Sequence, residues 1–238
     1  MTRVGPAVLI AALAGCGSLQ PNDAGVATLE LRPPVCGGIE IGTTVVLDAR
    51  TFDQHGDPVD APIRWRTPDP TVIDLNSATG ETTGLVVSDT ARVQALVGTT
   101  DPLISDLIPL VVTPFADTLA QSSAARVTVD TNRSSSAPLL VTISKKSPVT
   151  LVKSFPLTYR IVEPVITDAA NRTVEFPGGR LSVTACSSPS GTASTQLNRR
   201  ANTVPPDSAI VEVTAQHPDG STVPGSGRRF TVVFLKQP

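Results

Sequence analysis

The residues able to do chemistry in this chain are few: three cysteines, two histidines, and scattered carboxylates and hydroxyls. Cys16, Cys36 and Cys186 carry thiols, which can be acylated, oxidised or used as metal ligands. His55 and His217 are the side chains whose ordinary titration lies nearest neutral pH. They sit in separate turn-forming stretches, Asp53-Gln54-His55-Gly56-Asp57-Pro58 and His217-Pro218-Asp219-Gly220. A serine hydrolase must bring nucleophile, base and orienting acid together, and no spacing here does so. Gly225-Ser226-Gly227 lacks the strand-turn-helix setting of a nucleophile elbow. Because function has to be argued from a site, the sequence points away from an enzyme and assigns no catalytic residue. Asp53, Asp57 and Asp60 surround one turn and offer oxygens to a Ca²⁺ ion, which takes about six to eight of them. Asp, Gly and Pro also set backbone geometry at such places. With no EF-hand or repeat spacing present, the turn reading is preferred and neither metal nor other cofactor is expected.

Cys16 has a different context from the other two cysteines. It follows a basic start, Met1-Thr2-Arg3, and an uncharged run from Val4 to Gly15 that is too short for the about 20 residues of a membrane span. That pattern is a secretory targeting segment. Its end, Leu13-Ala14-Gly15-Cys16, closely resembles the lipobox of bacterial lipoproteins. The resemblance implies a signal peptide over 1–15, diacylglycerol on Cys16, and a mature protein tethered to a membrane without spanning it. An ordinary signal peptide cut near Ala14 is the alternative. Gly17-Ser18 lacks the Asp that often retains such lipoproteins at an inner membrane. In a Gram-negative cell the outer membrane or cell surface is therefore favoured.

Composition narrows the remaining classes. The chain has 19 Lys and Arg against 21 Asp and Glu, and Arg3 would leave with the signal. This near-neutral balance offers no basic face for nucleic acid. Charged residues make up 17%, and 22 Pro with 17 Gly interrupt runs of Val, Thr, Leu and Ile. Such a chain turns often and prefers strands.

Alternating runs recur between turn clusters and no helical period is sustained, so the chain reads as all-β. In the first half, strands are predicted near Ala27–Arg32, Thr43–Phe52, Ile63–Arg66, Val72–Leu75, Gly84–Val87, Ala91–Val97 and Leu107–Thr113. Val45, Leu47 and Ala49 share one face while Thr44, Asp48 and Arg50 take the other, as in a half-buried strand. Trp65 falls on the same face as Ile63. A buried tryptophan on the third strand of a sandwich is its ordinary role, and with aromatics at 3% there is little material for a sugar-stacking surface. Leu47, Ile63 and Trp65 are thus assigned to the core.

The segment from about Thr28 to Thr113 resembles the bacterial Ig-like group 2 family found in invasin- and intimin-type surface proteins. The likeness rests on Leu29-Glu30-Leu31, Val45-Val46-Leu47-Asp48-Ala49, the turn from Asp53 to Val59, and Ile63-Arg64-Trp65-Arg66. Asp69-Pro70-Thr71-Val72-Ile73, Gly80 and Leu110-Val111-Val112 complete it. Arg66 and Ser88-Asp89-Thr90 depart from the small hydroxyl residues and Gly-rich turn usual in that family. After Pro114 the pattern resets through 117–125. Further strands are predicted at Arg126–Asp130, Leu139–Lys145, Pro156–Val162, Leu181–Cys186, Thr195–Ala201, Ala209–Gln216 and Phe230–Leu235. The last two form a hairpin that resembles the closing hairpin of Ig-like domains. The organisation expected is a signal peptide at 1–15, a linker at 16–26, and two tandem immunoglobulin-like β-sandwiches at 27–114 and 115–238. The Lys145-Lys146, Arg199-Arg200 and Arg228-Arg229 pairs read as solvated strand faces. Asn132-Arg133-Ser134 and Asn171-Arg172-Thr173 fit the glycosylation pattern, which is incidental in a bacterial setting.

With Cys16 assigned to lipid, Cys36 and Cys186 remain as an even pair. By count alone they are equally a disulfide or two small core residues. Strand counting favours the bond. Cys36 follows the first strand of domain one, at the pole where the chain passes to domain two. Cys186 ends the fourth strand of domain two, which returns to that same pole. The function implied is non-catalytic binding, adhesion or structural support, through a protein or surface polymer outside the cytoplasm. The alternative is a subunit of an envelope complex that uses an edge strand or an inter-domain surface.

Overall fold

The computed structural model of the chain describes residues 21–166 and 172–235, so the signal segment and Cys16 lie outside the described residues. Most of the β-branched runs between turns become strands. A single 3-10 turn at Val35–Gly37 is the helical element among the described residues.

The first sandwich contains β1 (Thr28–Arg32), β2 (Gly38–Glu40), β3 (Thr44–Val46), β4 (Asp48–Phe52), β5 (Ile63–Arg66), β6 (Ile73–Leu75), β7 (Glu81–Gly84), β8 (Ser88–Val97), β9 (Leu103–Ile104) and β10 (Ile108–Thr113). The run read as one strand from Thr43 to Phe52 is parted at Leu47. Its second half, β4, pairs with β1, and its first half, β3, pairs with β7, which pairs in turn with β6. The facing sheet runs β2-β10-β8-β5, with β9 beside β8 and β2 parallel to β10. Alternation decides the core: Ala91, Val93, Ala95 and Val97 are fully buried along one face of β8. Leu47 and Trp65 are buried in the same cluster, and the partly buried Ile63 packs against it. Gly80 lies under the indole with φ +74°, where a β-carbon would come within 2.7 Å of Trp65. Glycine meets both the backbone and the space requirement.

Two expectations for this half are corrected. Gly84–Val87 is not a strand: β7 ends at Gly84, and Leu85, Val86 and Val87 are exposed where the chain crosses between the sheets. The Leu85 and Val86 amides both donate to the carbonyl of Val72. An apolar run looks alike whether it lies in a sheet or bridges two. Ser88-Asp89-Thr90, read as a turn, begins β8. Second, the segment expected as a linker is bound to the domain from Asn22 onward. The Asn22 side-chain oxygen accepts the Ala24 and Val26 amides, its nitrogen donates to Val97 O, and Val26 is fully buried. The Asp23 carboxylate accepts the amides of Thr99 and Thr100 and the Thr99 hydroxyl.

Those donors, the Thr100 and Thr99 amides foremost, hold the Asp23 carboxyl down from the ordinary 3.8 to about 2. A folded-state pKa below the unfolded one gives stability that is present above the unfolded value and lost as pH falls through the folded value. The clamp therefore weakens between about pH 4 and about pH 2, and Asp23→Asn removes that dependence. Hydrogen exchange at the Thr99 and Thr100 amides measures it, and an acid profile identical in the variant would refute the clamp.

The second sandwich contains β11 (Thr118–Gln121), β12 (Arg126–Val129), β13 (Leu139–Lys145), β14 (Thr150–Leu151), β15 (Pro156–Glu163), β16 (Val174–Glu175), β17 (Ser182–Cys186), β18 (Thr192–Thr195), β19 (Asn198–Arg199), β20 (Ser208–Ala215) and β21 (Arg228–Phe234). One sheet runs β12-β21-β20-β15-β17, and the other sets β11, β14 and β18 around β13. β16 and β19 form a small ribbon. Leu157, Tyr159, Phe176 and Phe230 are fully buried between the layers. The Tyr159 hydroxyl donates to Ala193 O at 2.8 Å and so ties one sheet to the other.

The single strand expected over Thr195–Ala201 is two short pieces, β18 and β19. Between them Leu197 is fully buried and exchanges hydrogen bonds with Ser136, which pulls the chain off the sheet. Arg199 is not on a solvated face. Its guanidinium donates to the carbonyls of Val129, Asp130 and Leu235 and stacks over the Phe234 ring, joining the ends of β12 and β21.

Candidate functional site

The residues with the most chemistry meet where the two sandwiches join. β2 leaves the 3-10 turn of domain one, and β15, β17 and the β20–β21 hairpin of domain two come against it. Cys36 and Cys186 are bonded, with an S–S length of 2.03 Å and Cα atoms 5.5 Å apart. The bond joins the end of β17 to the turn before β2. Three non-glycine residues among those described have positive φ, and two are here, Cys36 at 67° and Ser154 at 55°. Backbone held in that region costs about 1–3 kcal/mol per residue and persists where its surroundings over-determine it. Gly38 faces Ser154 directly, and a β-carbon at Gly38 would collide with the Ser154 carbonyl.

Beside the disulfide lies a buried acid–base pair. His217 Nδ1 donates to Glu40 Oε2 at 2.7 Å, and the other carboxylate oxygen accepts the Ala116 amide at 2.7 Å. The side chains are 4% and 3% exposed. Glu40 thus binds the strand it sits on, the inter-domain segment and the domain-two hairpin in one cluster. Phe115 stacks on the His217 ring at 4.3 Å between centroids, and Phe155 meets it edge-on at 6.3 Å. Ser187 positions Phe155 by accepting its amide and donating to Val152 O. Asp89 and Lys153 add an ion pair nearer the surface.

A cleft of about 400 Å³ opens between the domains, with Glu40, Phe155 and His217 among its deepest residues. Its domain-one wall presents apolar surface from Pro34, Val35 and Val45 together with the polar Glu40 and Thr113. Its domain-two wall is a row of hydroxyls, Thr184, Thr158 and Thr214, in register across β17, β15 and β20. Neighbouring hydroxyls in such a row stand about 4.8 Å apart, the spacing of strands in a sheet. The cleft thus combines apolar surface with uncharged donors and acceptors. Its one buried acid–histidine pair is bonded to itself through Glu40 Oε2 and His217 Nδ1.

Of the residues singled out in the sequence, Cys36 and Cys186 come together here and Trp65, Ile63 and Leu47 lie in the core of domain one. Asp53 directs Oδ1 at the amides of His55 and Asp57, closing its own turn, and those bonds hold its carboxyl below the usual range. Among the described residues, no three His, Cys, Asp or Glu side chains gather into a metal site. Sequence reasoning missed Glu40 altogether and left His217 as a turn residue. The available signal was local: Glu40 sits between Ile39 and Ile41, and an acid inside an apolar run demands a buried partner.

No family model matches the chain, and no curated protein matches it. Among solved structures it is similar to domains 4 and 5 of the S-layer protein SbsC, at 14% identity and a TM-score of 0.31, covering 90% of this chain and 100% of that one. It is similar to the D00-D0 domain of intimin at 15% identity and a TM-score of 0.32, covering 88% and 100%. The fibronectin(III)-like modules of Clostridium thermocellum CbhA match at 13% identity and a TM-score of 0.33, covering 88% and 94%. By its own sheet order, the chain is an all-β protein of two tandem immunoglobulin-like sandwiches.

Proposed function

We propose that this is a lipid-anchored protein of the bacterial cell envelope that acts by binding or structural support and not by catalysis. Domain one is of the group 2 bacterial Ig-like type in this reading. The observation that carries it is the Cys36–Cys186 bond. Disulfides persist in oxidising compartments outside the cytoplasm, which agrees with an export signal ending at Cys16. This bond also lies between domains, where its effect is to hold two binding surfaces in one relative orientation. The second reading, a subunit of an envelope complex, is favoured by the cleft, whose walls come from different domains and whose shape depends on that orientation.

Metabolic labelling with a palmitate analogue, followed by membrane fractionation, tests the anchor. The native protein should be labelled and sediment with membranes, and Cys16→Ser should lose the label. An unlabelled native protein recovered in the soluble fraction would overturn the reading.

A further inference from the structure

We propose that the outer edge of β17 and the mouth of the junction cleft together form a strand-addition site for an extended, uncharged segment of a partner polypeptide, one apolar side chain of which enters the cleft. This rests on the reading above, that the protein works by binding.

The backbone parity of β17 is set by its neighbour. The Ile161 amide donates to Leu181 O and the Ser187 amide to Phe155 O, so residues 181, 183, 185 and 187 face β15. Ser182, Thr184 and Cys186 therefore direct their own N–H and C=O groups away from the sheet, and these three are the exposed residues of the strand. Among the described residues β17 is the last strand of its sheet, and an edge of this kind is a template for pairing with another chain. Proteins commonly block such edges with charge or proline. β1 carries Glu30 and Arg32, β5 carries Arg64 and Arg66, β6 carries Asp74 and β12 carries Arg126. β17, Ser-Val-Thr-Ala-Cys, carries neither charge nor proline along its length, which is also true of the edge strands β3, β11 and β18. What sets β17 apart is that one of its outward-facing residues, Thr184, also lines the cleft.

The cleft gives that edge its selectivity. Thr184 belongs to both: its backbone faces the open edge and its side chain lines the cleft. Directly paired residues on adjacent strands point their side chains to the same face. The residue of an added strand opposite Thr184 thus aims at the cleft, where Pro34, Val35 and Val45 present apolar surface. Glu40 and His217 are the only ionisable side chains of the lining and are bonded to one another, so the lining offers no free ionic partner to a charged occupant. Strand addition works in this way generally, with main-chain bonds giving affinity and pockets for alternate side chains giving specificity.

The test uses the purified mature protein and a library of displayed linear dodecapeptides. Uncharged, strand-forming sequences sharing one apolar position should be enriched, and a synthetic copy should bind in calorimetric titration. Thr184→Pro removes the outward N–H, at an edge position that tolerates proline, and Thr184→Val, which removes the cleft-lining hydroxyl but keeps the N–H, separates the two contributions. The proline variant should weaken binding about tenfold, the equivalent of one lost hydrogen bond of about 1.4 kcal/mol. Val35→Asp, at an exposed lip residue, should weaken it similarly and carries the test if the proline variant does not fold. Ser194→Pro, the same change on the outer edge of β18, should leave binding intact. Failure to enrich any peptide, or binding that survives both changes, overturns the proposal. So does a dimer of the free protein that Thr184→Pro dissolves, since the occupant is then a second copy. Loss of lipid labelling alone removes the envelope reading and leaves this site standing.

Discussion

Replacing Cys36 and Cys186 by serine lowers stability more than any surface change in this protein. The bond closes a loop with a sequence separation of 150, for which the chain-entropy model gives about 5 kcal/mol at 25 °C. Relief of the left-handed backbone at Cys36 returns part of that, of order 1 kcal/mol or more. The expected result is a large drop in the urea midpoint together with a change in the shape of the transition. With the bond present, the domains are joined both by the chain after β10 and by the disulfide, and unfold together. Without it, the joint consists of one small buried cluster and an exposed ion pair of little weight, and two transitions separate. Reduction of the native protein should reproduce the double variant. A serine variant that melts in one step at the native midpoint would show that other contacts couple the domains.

Glu40→Ala and His217→Ala are each expected to cost about 3–5 kcal/mol, because either change leaves the other member buried without its partner. Glu40→Ala also strips the Ala116 amide of its acceptor, so it should be the more damaging of the two. The double variant should cost much less than the sum, since the penalty of the orphaned group disappears when both are removed. Denaturant unfolding of the four proteins in the cycle measures the coupling. Additivity within about 0.5 kcal/mol would mean that the two residues act independently, and the buried pair would not be what holds the hairpin to β2.

The strands of this protein were legible where they obey a strict two-residue period and lie inside a sheet. Leu139–Lys145 and Ile63–Arg66 fall where the alternation places them. Two of the strand errors share a cause, while the short strands β2, β11 and β14 carry too few alternating residues to read. Leu85-Val86-Val87 and Thr195–Ala201 are apolar or β-prone stretches that leave a sheet to cross the sandwich or to bury a single side chain. Local preference cannot distinguish those uses. Trp65 was legible because its strand position and alternation agree. Arg199 was not, because three carbonyls at strand ends converge on it only after β12 and β21 have paired.

The cysteine pair was legible for a reason other than periodicity. Counting the strands legible in the sequence places Cys36 and Cys186 at the same pole, and the bond is there, although β17 is the seventh strand of domain two and not the fourth, because short strands the alternation did not show intervene. The Glu40–His217 pair, separated by 177 positions, has no such rule behind it. Glu40's apolar neighbours Ile39 and Ile41 signal that it needs a partner but not which one, and what brings the two together is the docking of one sandwich on the other. By itself, then, the sequence determined the all-β class, the turns, the core of domain one and the pairing of Cys36 with Cys186, because these follow from local periodicity and chain direction. The tertiary structure alone decided that a satisfied acid–histidine pair, a cleft and the bare edge of β17 occupy the junction, because burial and edge exposure belong to the packing of distant segments and not to any stretch of chain.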